Sequence, residues 1–355
     1  MSQLQLMPNR ASHRLPVTTV LALGAVLVML SLVAASARGA FDIGIVSIAR
    51  TMWALATGTL DGSPDQLIFL NIRLPRLVLG LVAGAGLGMS GALMQGMFRN
   101  PLADPGLIGV SSGAALAAGI TIVMGALWFP DLPRSLGSWT LVLMAFAGGL
   151  GVTALIYVLS QSEGGTRISV MLLAGIAINA LAGAGLGFLS FMATDEQLRN
   201  IQFWLLGSLG GARWSAVGLV GTIVLMAVGA GLTMARPLNA IALGEAQAHL
   251  LGVDVERVKR RAVLVTALAV GAVTACTGII GFIGLVAPHC VRLIAGPDHR
   301  VVLPASAMLG AALVLLADSV ARTVAQPAEL PLGVLTAFVG VPFFLLLLRT
   351  FRGRV

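Results

Sequence analysis

RLPRLVLGLVAGAGLGMSGALMQGMFRNPLADPG, residues 73–106, joins two unlike polar ends through one uncharged run. Arg73 and Arg76 bracket Pro75 at the first end. Arg99 to Gly106, stiffened by Pro101 and Pro105, makes a tight loop at the second. Leu77–Phe98 carries no charge, and a helix needs roughly 20 apolar residues to cross a hydrocarbon core. The stretch therefore reads as one membrane span with a cluster of guanidiniums at one face and a stiff loop at the other. Such ends suit docking to other proteins better than chemistry on a substrate. Gly80, Gly84, Gly88, Ala92 and Gly96 recur every four residues, which puts them on one smooth stripe where a neighbouring backbone can approach. Gly183/Gly187 and Gly207/Gly211 repeat the spacing and are expected to pack in the same way.

The rest of the chain extends this reading. Of 355 residues, 57% are hydrophobic and 10% charged, whereas a soluble domain carries about 25% charged residues. Uncharged runs recur at Leu15–Ala37, Pro105–Pro130, Ser135–Gln161, Ile168–Thr194, Trp214–Ala235, Ala262–Val291, Val301–Ala317 and Leu330–Leu348. Segments in lipid must satisfy their own backbone groups. The expected fold is thus all-α, a single polytopic domain over residues 1–355 with roughly ten spans. Alternating strands of an outer-membrane barrel are absent from the pattern. The run from Ala262 is long enough for a two-part or re-entrant crossing. Ile43–Ala56 is expected to form a short amphipathic helix at the membrane surface.

The net charge of +8 does not point to nucleic acid, because of where the cations fall. Arg10/Arg14, Arg99, Arg167, Arg236, Arg257 to Arg261, Arg292/Arg300 and Arg349/Arg352/Arg354 all lie on one side if Leu15–Ala37 crosses outward. That side is cytoplasmic, and an even number of spans puts both termini there. Leu15–Ala37 also resembles a signal peptide, with Ala35-Ser36-Ala37 after it. Its length favours a retained span, since a cleaved signal has an apolar region of roughly 7–15 residues.

Enzyme motifs fail on context. Gly86-x-Gly88-x-x-Gly91 matches a dinucleotide fingerprint, which needs a strand, a turn and a helix, yet it lies inside a span. Gly109-Val-Ser111-Ser-Gly113 matches a nucleophile elbow; with His289 near the same face, an intramembrane serine hydrolase stands as the alternative outside transport. The single lysine, Lys259, is followed by Arg260, so no Walker A loop exists and any ATPase is a separate chain. Cys276 and Cys290 lack ligand spacing and read as packing residues. No metal site and no cofactor bound by this chain are expected. Gly84-Ala85, Gly91 and Pro101 recur at one constant offset as Gly271-Ala272, Gly278 and Pro288, a faint sign of an internal repeat.

Residues 236–261 form the main polar insert on the cytoplasmic side. Glu245–Leu251 is helix-forming and ends at Gly252, and a second turn starts near Asp254 with Glu256 early in it. Two short helices forming a knob are expected. Asp318 lies one turn before Arg322 near the end of a span; it is either a functional intramembrane ion or half of an i,i+4 neutralising pair. Arg73, Arg76 and Arg322 are expected at the outer surface, where guanidiniums can grip carboxylates bidentately.

Taken together, Arg73-Leu-Pro-Arg76, Gln95 to Gly106, Gly244-Glu-x-x-Ala-x-x-Leu-Gly252, Gly281 to His289, Asp298-His-Arg300 and Glu329-Leu-Pro-Leu-Gly333 resemble the permease subunits of iron–siderophore, haem and vitamin B12 ABC importers. The resemblance implies a type II importer permease of the bacterial inner membrane, working as a homodimer with two cytoplasmic ATPases that use ATP and one periplasmic binding protein. It implies that Arg73, Arg76 and Arg322 receive carboxylates of that binding protein. It implies that residues 236–261 hold the cytoplasmic coupling segment, Glu245–Arg261, which docks on the ATPase with Gly244, Glu245, Ala248, Leu251 and Gly252, and that helices near Ser169–Met192 and Leu332–Leu348 line the pathway. Thr194 to Trp204 and Gly252 to Arg257 look most like the haem-importing branch, with ferric siderophore and cobalamin as alternatives. Arg199 is a candidate for contact with haem propionates, or equally a lipid-headgroup or salt-bridge arginine. An ion-gradient secondary transporter is the rival within transport.

Overall fold

The computed structural model describes residues 16–38, 44–128 and 137–352. Arg10, His13, Arg14 and Arg354 lie outside them. The uncharged runs become helices, with the more polar α2 and α7 between them: α1 (Val17–Ala37), α2 (Ile45–Thr57), α3 (Pro64–Phe98), α4 (Val110–Trp128), α5 (Trp139–Leu159), α6 (Ile168–Met192), α7 (Asp195–Leu206) and α8 (Trp214–Leu232). Two short helices follow, α9 (Ala235–Ala242) and α10 (Glu245–Leu250). The last four are α11 (Val255–Thr277), α12 (Ile283–Ala295), α13 (His299–Ala321) and α14 (Leu332–Arg352). Among the described residues the only strands are β1 (Gln161–Ser162) and β2 (Gly165–Thr166), an antiparallel hairpin between α5 and α6 that pairs Gln161 with Thr166.

Seven helices, α1, α3, α5, α6, α8, α11 and α13, are long and apolar enough to cross a membrane; Val110–Gly125, Ile283–Ala295 and Leu332–Leu346 are shorter apolar stretches. Helices α3, α11 and α13 are the most buried and form the centre. Helices α1, α6 and α14 leave wide apolar faces uncovered, with Leu30, Leu181, Phe191 and Phe338 all exposed. That pattern fits lipid or a second protein surface, since an apolar face in water would be costly.

The glycine stripe on α3 does what its spacing predicts. A methyl group built on Gly84 would run into the Gly310 carbonyl, and one on Gly88 into the Ser306 carbonyl, so α3 and α13 meet backbone to backbone. Gly91, one step off the stripe, brings α3 equally close to Gly284 of α12. The expectation for Gly183 and Gly187 fails within the chain: nothing lies within 4 Å of a methyl placed on either. They sit on the uncovered face of α6.

Other expectations hold or shift. The run from Ala262 breaks at Gly278–Phe282 into α11 and the 13-residue α12, a two-part path. The amphipathic helix expected over Ile43–Ala56 is α2. The knob differs from its forecast. Gly252 does stop α10, at φ +79°, but Asp254 caps the 23-residue α11 rather than a second short helix; the short partner of α10 is α9. The repeat fails to align, because Gly91 sits inside a helix while Gly278 ends one. Gly109-Val-Ser111-Ser-Gly113 follows a 3-10 turn, Pro105–Ile108, where an elbow needs a strand.

One irregularity lies at the start of α3. Phe69–Arg73 is a π-helical stretch, which widens the turn by one residue. In it the Leu70 carbonyl accepts from Trp214 Nε1 at 3.0 Å, and just before it the Leu67 carbonyl accepts from Asn71 Nδ2 at 3.0 Å.

Candidate functional site

Polar side chains gather at two opposite ends of the bundle. At the first, α1 ends, α3 begins, α13 ends and the 322–331 connection passes over. Arg76 is central. Its Nε and Nη2 donate to Asp318 at 2.9–3.1 Å, and its Nη1 and Nη2 donate to Glu329 at 2.9 Å each. Asp318 also meets Arg322 Nε at 3.0 Å, so one carboxylate serves two guanidiniums. Both readings of Asp318 started from its i,i+4 neighbour; the structure adds a partner 242 residues away.

The last turn of α1 supplies further acceptors. A helix C-terminus leaves carbonyls without partners and carries partial negative charge. Arg73 Nη1 donates to the Ser36 carbonyl at 2.7 Å, Arg322 Nη1 to the Arg38 carbonyl at 3.0 Å and Arg322 Nη2 to the Ala35 carbonyl at 3.1 Å. These arginines tie α1 to α3 and α13. The sequence reading set all three guanidiniums at the outer surface. In the structure Arg73 and Arg322 are 5% and 7% exposed, because folding brings them the carbonyls of α1, which local spacing does not reveal. Only the Glu329 arm of Arg76 stands near solvent, with the Glu329 side chain 43% exposed.

The Arg76 hydrogen bonds hold the Glu329 carboxyl below the usual glutamate range, outweighing partial burial. A lowered folded pKa contributes stability above the unfolded value, about 4.3 for Glu, and that contribution fades as pH falls through the folded value. Acidification below about pH 4 should therefore lower the unfolding midpoint, and Glu329→Gln should remove that part of the acid sensitivity. Parallel pH profiles of unfolding for the two proteins would refute the assignment.

At the opposite end lie α9, α10, the start of α11 and the β-hairpin. Gly244, at φ +127°, opens α10 in a conformation that side chains rarely adopt. Ala248 is fully buried, while Leu250 and Leu251 project outward, 88% and 64% exposed. Glu245 heads α10 and accepts from Lys259 Nζ at 2.8 Å. The sequence reading placed Gly244, Glu245, Ala248, Leu251 and Gly252 here, and Lys259 in the same polar insert but without its partners Glu245 and Thr166. Its signal was that it is the chain's single lysine, at the edge of an apolar helix. The 99–106 loop sits apart from these groups: Arg99 ends α3 at φ +50°, Asp104 caps the following turn from 2.7 Å, and Asn179 of α6 donates to the Gly106 carbonyl at 3.2 Å.

Arg199 makes no hydrogen bond or ion pair with the Arg76 or Glu245 groups. It lies on α7, which starts with a reciprocal Thr194–Gln197 capping box, and is exposed in an open cleft of about 290 Å³ with Asp195, Gln202 and Phe203. A second, apolar cleft of about 230 Å³ opens between α12, α13 and α14, lined by Phe282, Leu313, Leu335 and Val339.

Known proteins share this plan. The profile of the FecCD transport family matches residues 25–350. The chain is 46% identical over 329 residues, 92% of its length and 95% of the relative's, to the hemin transport system permease protein HmuU of Yersinia pestis. It is 43% identical over 290 residues, 81% of this chain and 75% of the other, to the cobalamin import system permease protein BtuC of Halobacterium salinarum. Among solved structures, a chain described as an inward-facing conformation of a metal-chelate type ABC transporter superposes with a TM-score of 0.81 at 29% identity, covering 94% of this chain and 99% of that one.

Proposed function

The chain belongs to the FecCD transport family, as a multi-pass permease of an ABC importer, and from that premise we propose that its cargo is haem. The observation that carries this reading is the 46% identity with a hemin permease along almost the whole chain. Cobalamin is the second reading, supported by the 43% identity with a cobalamin permease; a ferric siderophore or other iron chelate is the third.

The proposed unit is a homodimer in the bacterial inner membrane, both termini cytoplasmic, with two copies of a separate ATPase and one periplasmic binding protein. The uncovered faces of α6 and α14 support a second copy at the axis, with the pathway between them. The end that carries Arg76 faces the periplasm. An incoming carboxylate meets the Arg76–Glu329 arm first, exchanging one bidentate partner for another; Arg73 and Arg322 stand behind it and join docking as the helix ends part. The α10 end, with Leu250 and Leu251 outward, docks on the ATPase. Cargo passes by alternating access as ATP closes the ATPase pair. The permease itself makes and breaks no covalent bond.

Reconstitution in vesicles with the partner ATPase and binding protein tests this. Haem, a ferric siderophore and cobalamin are offered side by side, and haem uptake should dominate; preferred cobalamin uptake would overturn the cargo. Uptake should survive collapse of ion gradients while ATP is supplied, whereas a secondary transporter would stop. Arg199→Glu should lower haem uptake if Arg199 receives propionates, and unchanged uptake removes it from the pathway.

A further inference from the structure

Lys259 lies between the proposed ATPase-docking helix and the hairpin that leads into a proposed pathway helix. The residue is 4% exposed. Its ammonium donates to Glu245 Oε2 at 2.8 Å, on α10, and to the Thr166 carbonyl at 3.0 Å, on the second strand of the hairpin. Thr166 is followed by Arg167, the residue that caps α6. One turn earlier on α11, Glu256 completes the frame. Its Oε2 accepts from the Thr166 backbone N–H at 2.8 Å, and its Oε1 accepts from the Thr166 hydroxyl and, at 3.0 Å, from Tyr157 at the end of α5.

Two features argue that this is more than a staple. A buried ammonium is costly unless it is hydrogen-bonded, and here two of its three N–H groups reach acceptors on different elements, Glu245 of α10 and the Thr166 carbonyl of the hairpin. Charge-assisted bonds of this length are about twice as strong as neutral ones. Glu245, the outer member, keeps 41% of its side chain exposed on the docking face. The hairpin pairs through Gln161–Thr166 and Ser162–Gly165, and its place against α11 rests on the Glu256 and Lys259 bonds to Thr166.

We infer that Lys259 is a positioning residue for coupling: it locks α10 to the hairpin, so that a displacement of the docking helix passes to the start of α6. This rests on the importer reading above. Because the link transmits movement, it stays closed throughout the cycle.

The test uses the reconstituted permease with its ATPase and binding protein. Uptake per ATP hydrolysed is measured for the unmodified chain, Lys259→Met, Glu245→Gln and the double variant. Each single change should lower that ratio about tenfold, within the range for coupling between sites, while hydrolysis continues. The double variant should fall no further, because both changes cut one link. A role in stability alone would lower the unfolding midpoint and leave the ratio unchanged, which would overturn the inference. Folding of the variants is bypassed by a measurement on the unmodified complex: Lys259 should resist an amine-reactive label, read by mass spectrometry, both without nucleotide and with the ATPase trapped closed. Labelling in the closed state would overturn the inference equally. If the unmodified complex fails to drive uptake with ATP, the importer reading falls, and the inference with it.

Discussion

Asp318→Ala should destabilise the protein by about 3–5 kcal/mol, the cost of breaking a buried ion pair and stranding its partner. The expected loss is large because one carboxylate answers two guanidiniums, Arg76 and Arg322, both largely shielded. Removing it leaves two buried cations without a shared counter-charge and loosens the hold of α13 on α3. Glu329→Gln gives the contrast. Its side chain is 43% exposed, so its loss should cost no more than about 1 kcal/mol. Thermal unfolding of the purified protein in detergent reads both. Equal midpoints for the two variants would show that Asp318 is not the keystone of this cluster.

How much of this was legible beforehand depends on the range of each interaction. The helices were, because each apolar run carries its own length signal. So was a two-part path from Ala262, though not the place of its break, and so were the glycines of α3, whose spacing of four leaves a groove whatever fills it. The pairing of Arg76 with Asp318 was not, because nothing local joins residues 242 positions apart. The sequence reading saw Asp318 with Arg322, one turn away, and left Arg76 free for a partner protein. The same limit hid the partners of Lys259. Its contact with Glu245 spans 14 residues and two helices, and its contact with Thr166 spans 93. Gly183 and Gly187 mark the opposite failure: the same local pattern, with nothing among the described residues packed against it.

That difference gives the second large effect. Gly91→Ala should cost about 1–3 kcal/mol or more, the usual penalty for overpacking, since the added methyl meets the Gly284 backbone rather than a side chain able to turn away. Gly183→Ala, the same chemical change, has open space in the single chain. There the better helix propensity of alanine, worth up to about 1 kcal/mol, should leave stability equal or improved. The unfolding midpoint of Gly91→Ala should fall while that of Gly183→Ala holds or rises. A Gly91→Ala protein as stable as Gly183→Ala would mean that α3 and α12 are less closely fitted than described.

The π-helical stretch at Phe69–Arg73 acts on a larger scale than its five residues. An inserted residue shifts the phase of everything before it by about 100°, since an α-helix advances 3.6 residues per turn. The Pro64–Ile68 end of α3 can thus answer to α2, where Asp65 accepts from Ser47 at 2.7 Å, while the rest answers to α13. The stretch works as a phase adapter between two surroundings. Deleting Phe69 or Leu70 would restore a uniform ladder and turn Asp65 away from Ser47, so an indel here carries the mechanical weight of a rotated helix.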